Sequence, residues 1–402
     1  MKIVCVGGGP AGLYASILIK LRNPGHDITL FERSNAGSTA GAGVTIGRDL
    51  LARLYEQDKE SADLIYKTAF IYHEQAMYSR GEKVVVQAGQ DYNITRHQLT
   101  GILAARAAAL GVRIEYGREI VNLSQLPEAD LIIAADGVNS RVRREASGFQ
   151  TTERSGNNKY IWLGTDKAFD SFNFIFVPAD TDWVWAHTFG VGAESSALVV
   201  ECTAAAWAGL GFDSMSVDDA LPVIEGLFKD CLDGHRLTSD LGDGSKARWL
   251  SFKTISNEHW HSGEIVLIGD SAHTSHFSMG MGTTLAIEDA IALADHLHRH
   301  DDIESALKAY GRQRIAESLP VLIAARYSER WFENISRYMD LKPRQLGVLF
   351  GARRSPITQL LPPRVSYALL LAARRIAILD AVRDWAASTA VATHSRRKLA
   401  RR

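Results

Sequence analysis

Short apolar runs alternate with segments of helical period along the chain. KIVCV (2–6), ITLFER (28–33), ADLIIAA (129–135) and EIVLIG (264–269) are brief and mostly apolar. Runs of this length are typical of strands buried on both faces of a parallel sheet. The first run leads into YASILIKLR, whose apolar residues have helical spacing. The pattern predicts an α/β fold with a Rossmann-like sheet.

Two other segments, 76–95 and 151–255, alternate between polar and apolar residues and are rich in aromatics, as in FNFIFVPADTDWVWAHTFGV. A period of two predicts strands, here a mixed β-sheet inserted into the α/β fold. Residues 303–340 return to helical spacing, and SPITQLLPPR (355–364) interrupts that spacing before a last helical stretch.

The composition excludes several classes of protein. The 402 residues are 46% hydrophobic and 23% charged with a net charge of -1, so no overall field attracts nucleic acid or an anionic membrane. Cys5, Cys202 and Cys231 lack CxxC spacing, which argues against a disulfide framework or structural zinc. No run approaches the roughly 20 apolar residues of a membrane span, and no signal peptide is evident. We therefore expect a cytoplasmic location.

The first apolar run ends in GGGPAG, which has GxGxxG spacing at Gly7, Gly9 and Gly12. In such a loop the first glycine makes a tight turn and the second lets a pyrophosphate approach the backbone. The third lets the helix pack on the strand. Pro10 and Ala11 begin that helix, whose N-terminal N–H groups favour a phosphate. Because the loop lies between two predicted strands, a nucleotide site is favoured over a glycine-rich turn without ligand.

Acidic residues follow three of the predicted strands. Glu32, with Arg33 after it, can accept hydrogen bonds from both hydroxyls of an adenosine ribose and repels a 2′-phosphate, which favours FAD or NAD over NADP. Asp136 and Asp270 belong to the stretches ADGVNSR and GDSAH. Contacts at these additional strand ends suit the long ribityl chain and ring of FAD better than NAD. FAD is the predicted cofactor.

Together the GxGxxG, DG and GD segments resemble those of the group A flavoprotein monooxygenases, up to about residue 340. The resemblance implies that Asp270 binds a ribityl hydroxyl and that Asp136 and Gly137 support the pyrophosphate and the approach of NAD(P)H. It also implies that Arg96 lies beside the phosphates and ribose. Backbone N–H groups of the turn Gly280–Thr283, which includes Gly282, are implied to face the flavin pyrimidine.

This resemblance also gives the domain prediction. Residues 1–75, 96–150 and 256–298 are predicted to form a discontinuous Rossmann-like (GR2-type) FAD-binding domain. Residues 76–95 and 151–255 are predicted to form the mixed β-sheet that covers the substrate. Residues 299–402 are predicted to form a C-terminal helical region with a basic tail.

The sequence departs from the general family at Phe277 and Thr284, where proline and asparagine are usual. These departures, with KYIWLGT and ERWFENISRY, resemble a subgroup that contains salicylyl-CoA 5-hydroxylase, 2-aminobenzoyl-CoA monooxygenase and the tryptophan hydroxylase of violacein biosynthesis. The implied reaction uses NADH or NADPH and O₂ to hydroxylate an aromatic ring on an aryl-CoA or carrier-bound thioester. A free aromatic or indole substrate, a flavin-dependent reductase of the same fold and a non-catalytic flavin-binding module remain alternatives. Arg353, Arg354 and Arg364 either meet CoA phosphates or form a solvated basic face.

Candidate substrate-contact residues lie on the covering sheet and next to the glycine turn. His187 either bonds a phenol or aniline or is a satisfied structural histidine. His276 and Phe277 are candidates for the floor of the pocket. Trp185 is expected in the core, and His273 is expected to brace its own loop. The histidines have no metal-ligand spacing, so no metal is predicted. We expect a monomer or homodimer.

Overall fold

The computed structural model describes residues 1–37, 43–179, 182–192, 194–240, 246–373 and 375. The strands, in chain order, are β1 (Lys2–Val6), β2 (Asp27–Phe31), β3 (Val44–Ile46), β4 (Phe70–Ser79), β5 (Glu82–Ile94), β6 (Arg113–Glu115), β7 (Leu131–Ala134), β8 (Thr151–Ser155), β9 (Lys159–Thr165), β10 (Phe172–Ala179), β11 (Asp182–Gly190), β12 (Ser196–Cys202), β13 (Leu237–Thr238), β14 (Lys253–Asn257), β15 (His261–Ser262) and β16 (Ile265–Leu267). The helices are α1 (Pro10–Arg22), α2 (Arg48–Gln57), α3 (Lys59–Thr68), α4 (Arg96–Ala109), α5 (Arg141–Glu145), α6 (Ala204–Gly209), α7 (Val217–Leu227), α8 (Lys229–Leu232), α9 (Gly282–Arg299), α10 (Ile303–Glu333), α11 (Pro343–Gly351) and α12 (Pro356–Leu360).

The first sheet has six strands in the order β15-β16-β7-β1-β2-β6. All its pairings are parallel except that of the edge strand β15 with β16. Each of the four predicted apolar runs forms a strand of this sheet, because both of its faces are covered and alternation has no advantage there. The helix α1 packs against both α4 and α9. The predicted α/β fold is confirmed.

The second sheet has eight strands in the order β13-β9-β12-β11-β10-β4-β5-β3. Its pairings are antiparallel except for β10 with β4, so it is a mixed sheet as the sequence predicts. β3 and the beginning of β4 also belong to it, although they precede the predicted segment 76–95. The reason is the length of β5, which pairs with both of them.

Alternation along the second sheet separates two cores. One face buries aliphatic residues such as Ile161, Val184 and Leu198 together with apolar residues of α6, α7 and α8. The opposite face is aromatic, and Phe174 and Trp185 pack there among residues of α10 and α11. Phe277, in the segment that follows the first sheet, contacts His187 on this aromatic face, and this contact positions the candidate site.

The long helix α10 connects the two cores. Leu307 and Tyr310 near its start belong to the core of the first sheet, and Trp331 and Phe332 near its end belong to the aromatic core. The predicted helical period after residue 303 is confirmed over this helix. The basic tail SRRKLARR lies outside the described residues. In the part of the chain that the structure describes, no helix has the length and apolarity that crossing a membrane requires.

Candidate functional site

The glycine loop after β1 is closely packed on one side and open on the other. A methyl group at Gly7 would lie 2.2 Å from the carbonyl oxygen of Ala135, and one at Gly12 would lie 2.2 Å from the carbonyl oxygen of Gly7. A methyl group at Gly9 would meet no described atom within 4 Å. The following helix begins at Pro10, and among the described residues no side chain caps its N-terminus, where the N-cap residue is Gly9. The loop thus presents uncapped helix N–H groups to an open space, an arrangement suited to an anion.

Glu32, at the end of β2, borders this loop. Its Oε2 atom accepts a hydrogen bond from the Gly8 N–H at 2.6 Å, and its Oε1 atom accepts one from the Ser34 N–H at 2.8 Å. These two bonds fix the carboxylate beside the glycine loop. Arg33 is exposed next to it.

The DG turn after β7 is held by a buried arginine. Asp136 Oδ2 accepts hydrogen bonds from the N–H groups of Arg141 at 2.7 Å and Val142 at 3.2 Å, so this oxygen caps a helix. The Oδ1 atom is buried without a described hydrogen-bond partner. Arg143 donates to the carbonyl oxygen of Ser271 at 2.8 Å, which ties this turn to the GD segment. Gly137 has a φ of 80° with open space at its Cα.

Asp270 follows β16 in the GD segment. Its side chain is exposed, yet the surrounding protein raises the pKa of its carboxyl group by desolvation, an effect that the positive charge of Arg96 partly opposes. Arg96 is at the start of α4, which Thr95 and Gln98 cap reciprocally.

A buried network of charged side chains holds the GD segment in place. Asp289 on α9 accepts hydrogen bonds from the Gly269 N–H at 2.8 Å and from Arg314 Nε at 2.8 Å, and it lies 2.9 Å from His273 Nε2. The His273 ring stacks on Trp260. The expected role of His273 as a brace for its own loop is confirmed, and Asp289 and Arg314 are partners that the sequence analysis missed.

A second glycine turn precedes α9. Gly280 has a φ of 64°, a left-handed conformation that favours glycine, and methyl groups at Gly280 or Gly282 would meet no described atom within 4 Å. The first backbone bond of the helix runs from the Leu285 N–H to the Met281 carbonyl oxygen at 2.9 Å. The N–H groups of residues 282–284, including Thr283, therefore precede the helical ladder, and no side chain caps this end.

His187, on β11, lies close to His276 and Phe277, which are consecutive residues of the segment after the first sheet. The Phe277 ring is 5.4 Å from that of His187 and 4.3 Å from that of His276, and Tyr160 lies 4.8 Å from it. Burial lowers the pKa of His187 to about 3 and that of His276 to about 4, so both imidazoles are neutral near pH 7. Trp185 is fully buried and stacks on Phe332, as expected for a core residue.

Glu201 on β12 is a residue that the sequence analysis missed. It is buried behind the histidines, where its Oε1 atom accepts from Asn158 Nδ2 at 2.8 Å and its Oε2 atom accepts from Trp185 Nε1 at 2.9 Å. Burial raises the pKa of Glu201, an effect that its neighbours, chiefly His276, only partly reverse. A lone acid inside the otherwise apolar strand SALVVEC was the available signal.

Arg353 is buried beside this cluster of rings, so both sequence interpretations of it, a contact to CoA phosphates and a solvated basic face, are wrong. Its guanidinium donates to Ser328 Oγ at 3.1 Å and to the carbonyl oxygens of Phe350 and Ser278 at 3.1 Å and 3.0 Å. It also lies 4.1 Å from the centre of the Phe350 ring. A helix-like basic stretch cannot reveal which of its arginines faces inward; Arg364 is exposed.

The spacing and packing of these elements match known proteins. A family profile described as an FAD binding domain matches residues 126–319. The chain is 31% identical to salicyloyl-CoA 5-hydroxylase of Streptomyces sp, over 96% of this chain and 74% of that one. It is 32% identical to 3-hydroxy-4-methyl-anthranilyl-[aryl-carrier protein] 5-monooxygenase of Streptosporangium sibiricum, over 83% of this chain and 90% of that one.

Two further comparisons agree with these relatives. Protodeoxyviolaceinate monooxygenase of Chromobacterium violaceum is 30% identical, over 92% of this chain and all of that one. A crystal structure of a variant of 2-methyl-3-hydroxypyridine-5-carboxylic acid oxygenase has the same fold, with a TM-score of 0.68 and 24% identity over 88% of this chain and 98% of that one. The chain therefore belongs to the family of FAD-dependent aromatic monooxygenases.

Proposed function

We propose that the chain uses NAD(P)H and O₂ to hydroxylate an aromatic ring that is carried as a thioester on CoA or on a carrier protein. Two of its relatives are named for such substrates, a salicyloyl-CoA and an anthranilyl group on an aryl-carrier protein. The observation that carries the proposal is the cluster of aromatic rings around Phe277, whose two histidines are neutral and have the carboxyl group of Glu201 behind them.

The residues at the strand ends fit FAD. We assign its pyrophosphate to the open side of Gly9 and the uncapped start of α1, and its ribose to Glu32. Asp270 is assigned to the ribityl chain, with Arg96, Asp136 and Gly137 beside it. The uncapped start of α9, with Gly280, Gly282 and Thr283, is assigned to the flavin ring. These two helix N-termini and the acidic strand ends between them suit a cofactor as long as FAD. The assignment also includes Gly7, Pro10, Ala11, Gly12 and Arg33.

When bound, FAD supplies the redox chemistry that activates O₂. The chain's own task is to bind the ring, orient it and exclude water. The Phe277 ring is half-buried and can pack against an aromatic substrate, and the buried rings of His187 and Phe174 support it from behind. The N–H groups at the start of α9 favour negative charge that develops beside them.

The charge of the pocket favours a thioester over a free aromatic acid. His187 and His276 are neutral, and the carboxyl group of Glu201 lies behind them. Two arginines help to lower the pKa values of these histidines, and both already bond protein acceptors. Arg353 donates to Ser328 and to backbone carbonyls, and Arg154 donates to Glu329. A buried carboxylate without a cation costs several kcal/mol, whereas a thioester carries no charge at this position.

The test compares 2-hydroxybenzoyl-CoA with free 2-hydroxybenzoate under ¹⁸O₂, with NADH or NADPH. We expect one labelled oxygen in the thioester product and a kcat/KM higher by about 100-fold, which corresponds to about 2.7 kcal/mol. Gly9→Ala, which should not hold FAD, is the control for flavin-independent oxidation of NAD(P)H. Equal kcat/KM for the acid and the thioester would contradict the proposal.

A free indole is the second candidate substrate. The chain aligns with the full length of protodeoxyviolaceinate monooxygenase, and an uncharged aromatic pocket accepts an indole as readily as a thioester. Preferential turnover of free indoles in the same assay would favour this candidate. NAD(P)H oxidation with an aromatic compound but without O₂ consumption would instead indicate a reductase.

A further inference from the structure

The carboxyl group of Glu201 is held in the interior, and no described cation pairs with it. Its side chain is 1% exposed, and its two oxygens accept hydrogen bonds from the neutral donors Asn158 and Trp185. Among the described residues, its recorded ion-pair contacts are His187 Nε2 at 3.5 Å and His276 Nε2 at 4.0 Å, and both imidazoles are neutral. A buried carboxyl group in such surroundings retains a proton more readily than one in water.

The proton on His276 is located by its hydrogen bonds. The Ser278 N–H, which can only donate, is directed at His276 Nδ1 at 3.4 Å, so Nδ1 is the nitrogen without a proton. A chain of hydrogen bonds agrees with this assignment. Arg353, which can only donate, donates to Ser328 Oγ; Ser328 Oγ bonds Ser278 Oγ, and Ser278 Oγ lies 2.8 Å from His276 Nδ1. The neutral imidazole therefore carries its proton on Nε2, the atom that faces Glu201.

A small cavity lies between Glu201, His276 and the end of α10. It is lined by both residues and by Gly156, Glu329 and Glu333, and its volume of about 10 Å³ has room for about one water molecule. Glu329 is 3% exposed, and its Oε1 atom is buried with no hydrogen-bond partner in the described structure. This unpartnered acceptor lines a cavity of the size of a water molecule.

Glu333 is the most exposed of the three carboxyl residues that line this cavity. It is half-buried, and its Oε1 atom accepts a hydrogen bond from the exposed Asn157 at 2.8 Å. Arg154 holds the other oxygen of Glu329, which leaves Oε1 directed at the cavity. The carboxyl groups of Glu201, Glu329 and Glu333 thus form a series that runs from the aromatic pocket to solvent.

The reaction needs such a route, because hydroxylation consumes a proton inside a pocket that excludes water. The balance is ArH + O₂ + NAD(P)H + H⁺ → ArOH + NAD(P)⁺ + H₂O. We propose that Glu201 is a proton-exchange residue. It gives a proton towards the aromatic cluster through His187, whose Nε2 atom lies 3.5 Å from it and has no hydrogen-bond partner among the described residues, and it regains one from solvent through a water in the cavity, Glu329 and Glu333. This role rests on the family's reaction and is independent of which aromatic substrate is used.

Infrared spectroscopy of the FAD-loaded protein without substrate tests this role without turnover. A protonated carboxyl group has a C=O stretch that shifts in D₂O. We expect the spectrum of the wild type minus that of Glu201→Gln, at neutral pH, to contain this band, and we expect the band to shift after transfer to D₂O. Absence of the band would overturn the proposal, since Glu201 would then hold no proton to give.

Two variants test the path while leaving Glu201 in place. Glu329→Gln removes the proton-exchanging group, and Gly156→Ala places a methyl group 2.8 Å from Glu329 Oε1 and so displaces the cavity water. Each should slow the D₂O shift of the Glu201 band by about tenfold, which corresponds to about 1.4 kcal/mol of barrier. Glu304→Gln, on the exposed start of the same helix, should leave the rate unchanged.

Exchange at the wild-type rate in both Glu329→Gln and Gly156→Ala would overturn the path. The FAD content and the urea midpoint of each variant establish that the fold is intact. Turnover provides an independent readout: the kcat of Glu201→Gln should fall by about 100-fold while its FAD content is unchanged. Because the infrared measurement needs no aromatic substrate, a failure of the thioester assay leaves its outcome interpretable.

Discussion

Replacement of Asp289 by asparagine tests whether the buried network beneath the GD segment holds the site in place. The carboxylate of Asp289 is fully buried and receives the Gly269 N–H, His273 and Arg314. Asparagine keeps the size of the side chain but removes its charge, and its amide group directs N–H donors at one of these partners. The buried positive charge of Arg314 therefore loses the carboxylate of Asp289 as a partner.

The expected loss of stability follows from these contacts. Breaking one partner of a buried ion pair costs about 3–5 kcal/mol. Arg314 keeps Glu317 and Glu288, whose side chains are 51% and 22% exposed, so we expect the lower end, about 3 kcal/mol. Burial alone would raise the pKa of Asp289, but His273 and Arg314 lower it by more. A lowered pKa gives stability that is complete above the unfolded value of about 3.9, so the full loss is expected at neutral pH.

Urea unfolding followed by tryptophan fluorescence measures this loss, and flavin absorbance measures the FAD that remains bound. Asp289→Asn should lower the free energy of unfolding by about 3 kcal/mol and weaken FAD binding, because the Gly269 N–H loses its anchor. The matched control is Asp295→Asn on the same helix, which breaks a partly exposed pair with Arg22 and should cost about 1 kcal/mol or less. The reasoning is refuted if the two variants have the same stability and FAD content.

Three further predictions concern the loops and the pocket. Gly9→Ala should fold like the wild type but lose FAD. Gly12→Ala should lose FAD and also have a lower urea midpoint, because its methyl group would lie 2.2 Å from a backbone oxygen. Identical urea midpoints for the two variants would contradict this. Acid should destabilise the protein between pH 6.5 and about 3, because burial lowers the pKa values of His276 and His187 to about 4 and about 3. Their stabilisation is complete above the unfolded value and is lost as the pH falls through the folded values. His276→Gln should reduce the slope of stability against pH in this window, and an unchanged slope would assign it to other groups. Arg353→Lys should cost about 2 kcal/mol in urea unfolding, because lysine cannot reach Ser328, Phe350 and Ser278 together, and a cost near zero would mean that these bonds add no net stability.

The sequence predicted the parts of the site whose signals are local. A buried strand, a glycine spacing and an acid at the next strand end all lie within residues 2–32, and the fold places Glu32 beside Gly8 as the spacing implies. The GD segment carries a comparable signal. Parallel strands bring their carboxyl ends to one edge, so the three segments had to meet there once each strand was recognised.

The pocket behind that edge was decided by tertiary structure. Glu201 and Trp185 meet because β11 and β12 pair in one register, and His276 reaches them from a loop after the first sheet. Arg353 was predicted to contact phosphate or solvent, but the packing of α11 turns it inward onto Ser278 and Ser328. No pattern in these segments fixes such contacts, because each depends on which faces of distant elements pack together.

The sequence by itself therefore determined the α/β fold, the nucleotide edge and the family, since each rests on short-range spacing and on burial of single strands. Only the tertiary structure decided which polar groups lie inside, that both pocket histidines are neutral and that three carboxyl groups share one cavity. The physical reason is that burial and charge at a residue depend on every element packed around it, whereas strand and turn formation depend mainly on its neighbours in the chain.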